Sequence, residues 1–309
     1  MLLVHGYKDV PAGVHGAVLA IGNFDGVHRG HQALLRAAGA IGRELGAPAG
    51  ALVFEPHPRE FFHPEEPHFH LTPLVLKLAI FEQLGLEVAA VLPFDGALAA
   101  LSAEAFVDRV IVDGLGARHV VIGHDFFFGK NRGGTPETMQ AAAARAGFGL
   151  TIIPPVAEDG EVFSSSAIRL RLAQGDVKGA ACLLGRQWRV AGKVVGGAKR
   201  GTGLGFPTAN IPLPRGTALG HGIYAVRVHT GGERHDAAAY LGTRPTYDDG
   251  MPVLEVFLFD FDGNLYGREI EVEFVDFIRA DRKFDSSEAL IAQMQLDVAR
   301  ARDILAAAS

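Results

Sequence analysis

Residues 17–153 alternate short, uninterrupted apolar runs with stretches whose apolar residues recur at helical spacing, and no other feature restricts the possible folds as much. "GAVLAIGNF" is the first such run, and "HQALLRAAGAIGREL" follows it with Ala33, Leu34, Ala37, Ala40 and Ile41 on one face. "AGALVFEPHP", "EVAAVLPF", "HVVIG" and "LTIIPP" continue the strand series, with "TPLVLKLAIFEQLG", "SAEAFVDRVIVDGLG" and "TMQAAAARAG" as helices between them. Thr72 is the expected N-cap of the helix in "TPLVLKLAIFEQLG", with Pro73 at its first position and Gly85 at its stop. Buried strands alternating with amphipathic helices predict a parallel α/β sheet covered on both faces.

The second half has a different pattern. "WRVAGKVVGG", "GIYAVRVHTGG", "RHDAAAYLG", "PVLEVFLFDFDG" and "EIEVEFVDFIR" are strand candidates, several alternating with period two. In "EIEVEF", Glu269, Glu271 and Glu273 are expected on one wet face. Only the tail reads as a long helix, with Asp285 and Glu288 as a capping-box-like start. "SAIRLRLAQGDVKGAACLLG" reads as two short helices separated by Gly175. The boundary is expected near Gly185, giving domains 1–185 and 186–309.

Composition excludes several classes of function. A net charge of −6 over 309 residues gives no basic field for nucleic acid, while leaving room for phosphate sites built from local amides and a few cations. Cys182 is the single cysteine, so neither an intrachain disulfide nor a thiolate metal site is expected. The opening "MLLVHGYKDV" is too short and interrupted for a signal peptide, and no apolar run reaches the ~18 residues of a span. The expectation is a cytoplasmic protein that does not engage the membrane, a monomer or weak homo-oligomer.

In such a sheet, ligands bind beyond the carboxyl ends of the strands, and a helix starting there directs free amides toward an anion. "GNFDGVHRGH" occupies that position, with His28 and His31 three residues apart on one face and Gly30 between them. Two such donors beside a phosphate stabilise charge growing on its oxygens. A zinc site would need further ligands that appear at no suitable spacing.

The string "HRGH" resembles the signature of the nucleotidyltransferase superfamily. The longer "IGNFDGVHRGHQALL" is similar to the bacterial bifunctional riboflavin kinase/FMN adenylyltransferases, the FAD synthetases. "FEPHP", "LT" with Lys77, "VIGHDFFFGKNRGG" and "FSSSAIR" match in the same order. "SSSAIR" alone is an ordinary helix start; by the resemblance, Ser164, Ser165, Ser166 and Arg169 contact ATP phosphates, with Gly22, Asn23, Phe24 and Gly30. Phe54, Pro56, His57, Pro58, Asp125 and Arg132 are then flavin- or nucleotide-binding, and His28 and His31 catalytic. Ser166 stands where threonine is usual, Phe127 where arginine is common, and Leu76 where glutamate is frequent.

"GLGFPTANI" carries the second motif. Thr208 and Asn210, with one residue between them, point to the same side of an extended segment and are spaced to share Mg²⁺; in isolation, "PTAN" also reads as a simple turn. The flanking strands and "IRADRKFDSSEALIAQMQLD" follow the order of the riboflavin kinase module. By that resemblance Gly205, Phe206 and Pro207 belong to the flavin or nucleotide site, and Glu255 is the general base. Tyr240 replaces a usual asparagine, and Thr202 a common basic residue, with Lys199 and Arg200 close by. The resemblance implies a Rossmann-like nucleotidyltransferase domain, then an antiparallel β-barrel with a C-terminal helix. It further implies ATP and Mg²⁺ with riboflavin, FMN and FAD as substrates and products. A kinase or adenylyltransferase with one dead site, a nucleotidyltransferase for another phosphorylated molecule, and a non-catalytic flavin sensor are the rival readings.

Overall fold

The computed structural model describes residues 1–158, 160–196, 206–242 and 252–308. The chain divides into two units, Met1–Pro67 with Thr72–Ser164, and His68–Leu71 with Ser165–Ser309.

The first unit contains six parallel strands: β1 (Leu2–His5), β2 (Val18–Ile21), β3 (Ala49–Glu55), β4 (Val88–Pro93), β5 (His119–Gly123) and β6 (Gly149–Ile153). They lie in the order β1-β4-β3-β2-β5-β6. The chain therefore leaves β2 toward β3 on one side and later returns beside β2 as β5. That reversal opens a crevice at the carboxyl ends of β2 and β5. Helices α1 (Arg29–Leu45), α2 (Pro58–Phe62), α3 (Leu74–Gln83), α4 (Gly96–Ala99), α5 (Ala103–Phe106) and α6 (Pro136–Ala146) connect the strands. Val18 and Ala20 of β2 enter one core with Leu35 and Phe81, whereas Leu19 and Ile21 enter the other with Phe106 and Val110. A strand apolar on both sides needs both layers, as the uninterrupted run predicted.

Local details differ from expectation. Pro73, not Thr72, precedes the first helical residue of α3, and the Thr72 N–H donates instead to Asp25 Oδ1 at 3.1 Å. The helix predicted in "SAEAFVDRVIVDGLG" begins with Ser102 as its cap but widens into a π-helical stretch at Val107–Val112. The N-terminal segment, to which no structure was assigned, supplies edge strand β1. A two-stranded hairpin, β7 (Ala157–Glu158) and β8 (Glu161–Val162), ends the unit.

The second unit begins with the two expected short helices, α7 (Ser165–Ala173) and α8 (Val177–Leu184). Strands β9 (Trp188–Lys193), β10 (Ala209–Pro212), β11 (Gly222–Thr230), β12 (Glu233–Gly242), β13 (Val253–Leu258) and β14 (Glu269–Ala280) follow, then α9 (Ser287–Ala307). The sheet is antiparallel in the order β10-β13-β12-β11-β14-β9, and a Val195–Asn210 bridge links its two ends into a curled half-barrel. Helix α9 covers β11, β12 and β14, burying Ala301 and Leu305 against Ala225 and Val275. Its cap is Ser286, whose hydroxyl accepts from Ala289 N, rather than Asp285.

The expected wet face of β14 is only partly wet. Glu273 is buried, because strand register places it between Arg227 and Arg189. With Asp236 opposite Arg227, four adjacent strands carry the row Asp236–Arg227–Glu273–Arg189, alternating in sign. Arg189 Nε donates to Glu273 Oε2 at 2.8 Å, and Arg227 Nη1 approaches Glu273 Oε1 at 3.8 Å.

Arg279 of β14 holds α9 through Asp297, with Nε–Oδ1 at 2.9 Å and Nη2–Oδ2 at 2.7 Å. Asp297 is buried, so removing one partner leaves the other charge desolvated. Arg279→Met is expected to lower the stability of this unit by about 3 kcal/mol, measured by urea unfolding.

Candidate active sites

β2 ends at Ile21, and the chain passes through Gly22–Val27 before α1 begins at Arg29. His28 is the N-cap of α1: its Nδ1 accepts from His31 N at 3.3 Å. A neutral ring that accepts at Nδ1 carries its proton on Nε2, which makes that nitrogen a donor. The His28 and His31 rings stack at 3.6 Å, and Phe24 meets His31 edge-on at 5.3 Å. The two histidines therefore come together as expected, with His28 capping the helix. A Cβ at Gly30 would stand 3.1 Å from the His28 ring, so the glycine makes room for the imidazole. One at Gly22 would stand 3.3 Å from the Phe24 ring.

Asn23, Phe24 and Asp25 are held from below. Lys77 of α3 is 3% exposed and its Nζ donates to the Asn23 carbonyl at 2.7 Å. Burial pushes this ammonium below its ordinary range, while the charges of Asp25 and Glu55 act in the opposite sense. Asn23 Oδ1 is buried and accepts no hydrogen bond from the described residues. Arg29 reaches sideways to the Glu158 carboxylate, Nη2–Oε1 3.1 Å, with its guanidinium 4.8 Å over Phe163. That hydrogen-bonded pair holds the Glu158 carboxyl below the usual range.

The residues expected around the flavin occupy the carboxyl ends of β3 and β5. Phe54 ends in an aromatic group with Phe94 at 5.9 Å, and Phe94 touches Phe61 and Phe62. Pro56 follows a cis peptide, and Pro58 opens α2. His57 caps that helix, its Nδ1 accepting from Arg59 N at 3.1 Å. Asp125 is exposed, and Arg132 lies 4.8 Å over the Phe127 ring. The Phe127 ring therefore meets a cation face-on, although it carries none itself. Phe62, 59% exposed, was not singled out from the sequence, although adjacent phenylalanines after "FEPHP" were visible there.

Ser164 closes the first unit, whereas Ser165, Ser166 and Arg169 open the second within α7. Arg169 donates to the Phe69 carbonyl from Nε at 3.0 Å and from Nη2 at 2.9 Å.

In the second unit, Asn210 of β10 is directly opposite Glu255 of β13, and Glu255 is directly opposite Tyr240 of β12. The three side chains therefore form one row across adjacent strands. Asn210 Nδ2 donates to the Thr208 carbonyl at 3.3 Å, so the two proposed oxygen ligands are neighbours at the start of β10. Tyr240 donates to Asp281 Oδ2 at 3.1 Å. Phe206 packs edge-on against Phe257 at 5.2 Å, and Pro207 is exposed. Gly205, Thr202, Lys199, Arg200 and residues 243–246 of the "GTRPT" turn lie outside the described residues.

Two family models match the chain, one described as FAD synthetase over residues 11–167 and one as riboflavin kinase over residues 184–305. A bifunctional riboflavin kinase/FMN adenylyltransferase of Pseudomonas fluorescens is 42% identical, covering 99% of this chain and 98% of its own. Its namesake in Escherichia coli strain K12 is 38% identical, covering 97% and 96%. A crystal structure described as a macrolide-efflux protein from Streptococcus pneumoniae superposes with a TM-score of 0.86 at 29% identity, covering 98% of this chain and 99% of that one. Among the described residues no helix is long and apolar enough to cross a membrane.

Proposed function

The chain belongs to the bifunctional riboflavin kinase/FMN adenylyltransferase family, and from that premise we propose how its residues divide two reactions. The protein phosphorylates riboflavin to FMN with ATP and adenylylates FMN to FAD, releasing pyrophosphate. We assign adenylyl transfer to residues 1–185 and riboflavin phosphorylation to residues 186–309.

In adenylyl transfer a phosphate oxygen of FMN attacks the α-phosphorus of ATP as the bond to pyrophosphate breaks. His28 and His31 donate to the phosphate oxygens as their charge grows, assisted by the amides at the start of α1. The observation that carries this reading is the His28 cap, which leaves Nε2–H as the donor of the ring. Gly22, Asn23, Phe24 and Gly30 shape the loop around the nucleotide. Ser164, Ser165, Ser166 and Arg169 take the triphosphate, for which Arg169 exchanges the Phe69 carbonyl for an anion.

In the kinase reaction Glu255 accepts the proton of the ribityl hydroxyl as its oxygen attacks the γ-phosphorus and ADP leaves. The row Asn210–Glu255–Tyr240 supports this by setting the carboxylate beside the proposed metal ligands. Thr208 and Asn210 offer hard oxygens two residues apart, a donor set that fits Mg²⁺ with phosphates and water completing its shell. When bound, Mg²⁺ neutralises phosphate charge. A cytoplasmic monomer or weak homo-oligomer completes this reading, and sedimentation velocity checks the association state.

The flavin ring of FMN stacks on Phe62, whose exposure beside Phe61 and Phe94 leaves an aromatic surface open. Phe62→Ala is expected to raise KM for FMN about 5–10-fold, with riboflavin phosphorylation unchanged. Steady-state assays with FMN supplied directly check this.

The reading as a whole is tested by incubating the protein with riboflavin, ATP and Mg²⁺ and separating flavins over time. FMN should rise and then give way to FAD. FMN that accumulates without conversion, even when supplied directly, would overturn the assignment of His28 and His31.

A further inference from the structure

The loop between β2 and α1 has left-handed backbone at Phe24 (φ +48°), Gly26 (φ +87°) and Val27 (φ +40°). Glycine adopts this conformation freely, but Phe24 and the β-branched Val27 keep it only where surrounding structure over-determines it. Two tethers do so, and both come from residues 72–77. The Thr72 N–H holds the Asp25 carboxylate at 3.1 Å. Lys77 Nζ holds the Asn23 carbonyl at 2.7 Å, on the peptide that leads directly into Phe24.

Lys77 faces inward on α3 with Phe81, and Phe81 meets Phe24 edge-on at 5.8 Å. An apolar side chain there would fill the same space without burying an ammonium, which is tolerated only where its charge is compensated. The position therefore asks for more than packing. Its one hydrogen-bond partner among the described residues is the carbonyl that starts the left-handed turn.

We propose that Lys77 is a positioning residue for adenylyl transfer, its ammonium fixing the Asn23 carbonyl and, through it, the turn that sets His28 and His31 at the start of α1. The inference rests on the assignment of that transfer to His28 and His31. Lys77 acts through Asn23 and Phe24 rather than on the reacting atoms.

Lys77→Met is assayed in the full chain for FMN adenylylation with supplied FMN, and for riboflavin phosphorylation as a measure of active protein. Without the tether the turn relaxes, and a small displacement of the histidines is enough to lower kcat about 100-fold. KM for FMN and for ATP is expected to stay within about threefold of wild type, and riboflavin phosphorylation within about twofold. Lys77→Gln, shorter and uncharged, is judged on the same split if the methionine variant does not fold. Wild-type kcat in the folded variant overturns the proposal, as does a loss confined to KM. Failure of both variants to fold also overturns it, by making Lys77 a folding requirement. A wild-type chain that makes no FAD from supplied FMN refutes the parent assignment instead, so the two failures are distinct.

Discussion

His28→Ala is expected to lower FMN adenylylation by about 10²–10³-fold, the usual cost of removing one donor aimed at charge that grows in the transition state. Riboflavin phosphorylation by the same polypeptide should stay within about twofold, because none of its proposed groups lies in the first unit. Alanine also deletes the cap of α1, at a cost of about 1 kcal/mol to that helix. His28→Asn separates the two effects: it keeps a capping acceptor and discards the imidazole, so it should be as inactive as alanine while recovering the lost stability. His31→Ala should lower adenylylation like His28→Ala, since the two rings stack, but it keeps the backbone amide that His28 caps and so spares the helix. Flavin chromatography from riboflavin and ATP, with a parallel assay on supplied FMN, reads both reactions. Equal loss of both in a folded variant contradicts the division of labour.

Glu255→Gln should have the converse effect. Loss of a general base costs about 10²–10⁴-fold, and glutamine keeps the size and the β13 pairing while losing the capacity to take a proton. FMN formation should fall by that amount, and supplied FMN should still be adenylylated at the wild-type rate. Because Asn210 and Tyr240 flank Glu255 in register, the amide fits the same row, and a fall in activity reports chemistry rather than a distorted sheet. Unchanged phosphorylation removes Glu255 from the role.

Both sheets were legible because their signals are periodic. β2 is apolar at every position and is buried on both faces; β13 and β14 alternate, and they pair antiparallel with their neighbours. The two histidines were legible for a similar reason, since three-residue spacing at a helix start leaves one possible face. What was missed depends on tertiary partners. No local signal in "LKLAIF" says that Lys77 turns inward, because the carbonyl it meets belongs to a loop fifty-four residues earlier. Thr72 resembles a cap by type, yet its amide is engaged by Asp25, and the helix starts later. Glu273 looks wet by alternation and is buried because arginines from both neighbouring strands reach it. Phe62 is exposed where a solitary hydrophobe means little, and only its contact with Phe61 and Phe94 marks it as part of an aromatic group.

The row Asp236–Arg227–Glu273–Arg189 also bears on how this sequence can change over generations. A one-residue slip of β14 against β11 would set Arg227 opposite Val272 or Phe274 instead of Glu273, leaving a buried charge against an apolar face. The row thus works as a register code shared among four strands. A single charge reversal within it spoils the code for its neighbours, and so does exchanging one acidic and one basic partner, because a flanking residue then faces its own sign. Charge changes at these four positions, singly or in pairs, are therefore expected to be rare, a constraint inherited from strand pairing rather than from the chemistry of flavins.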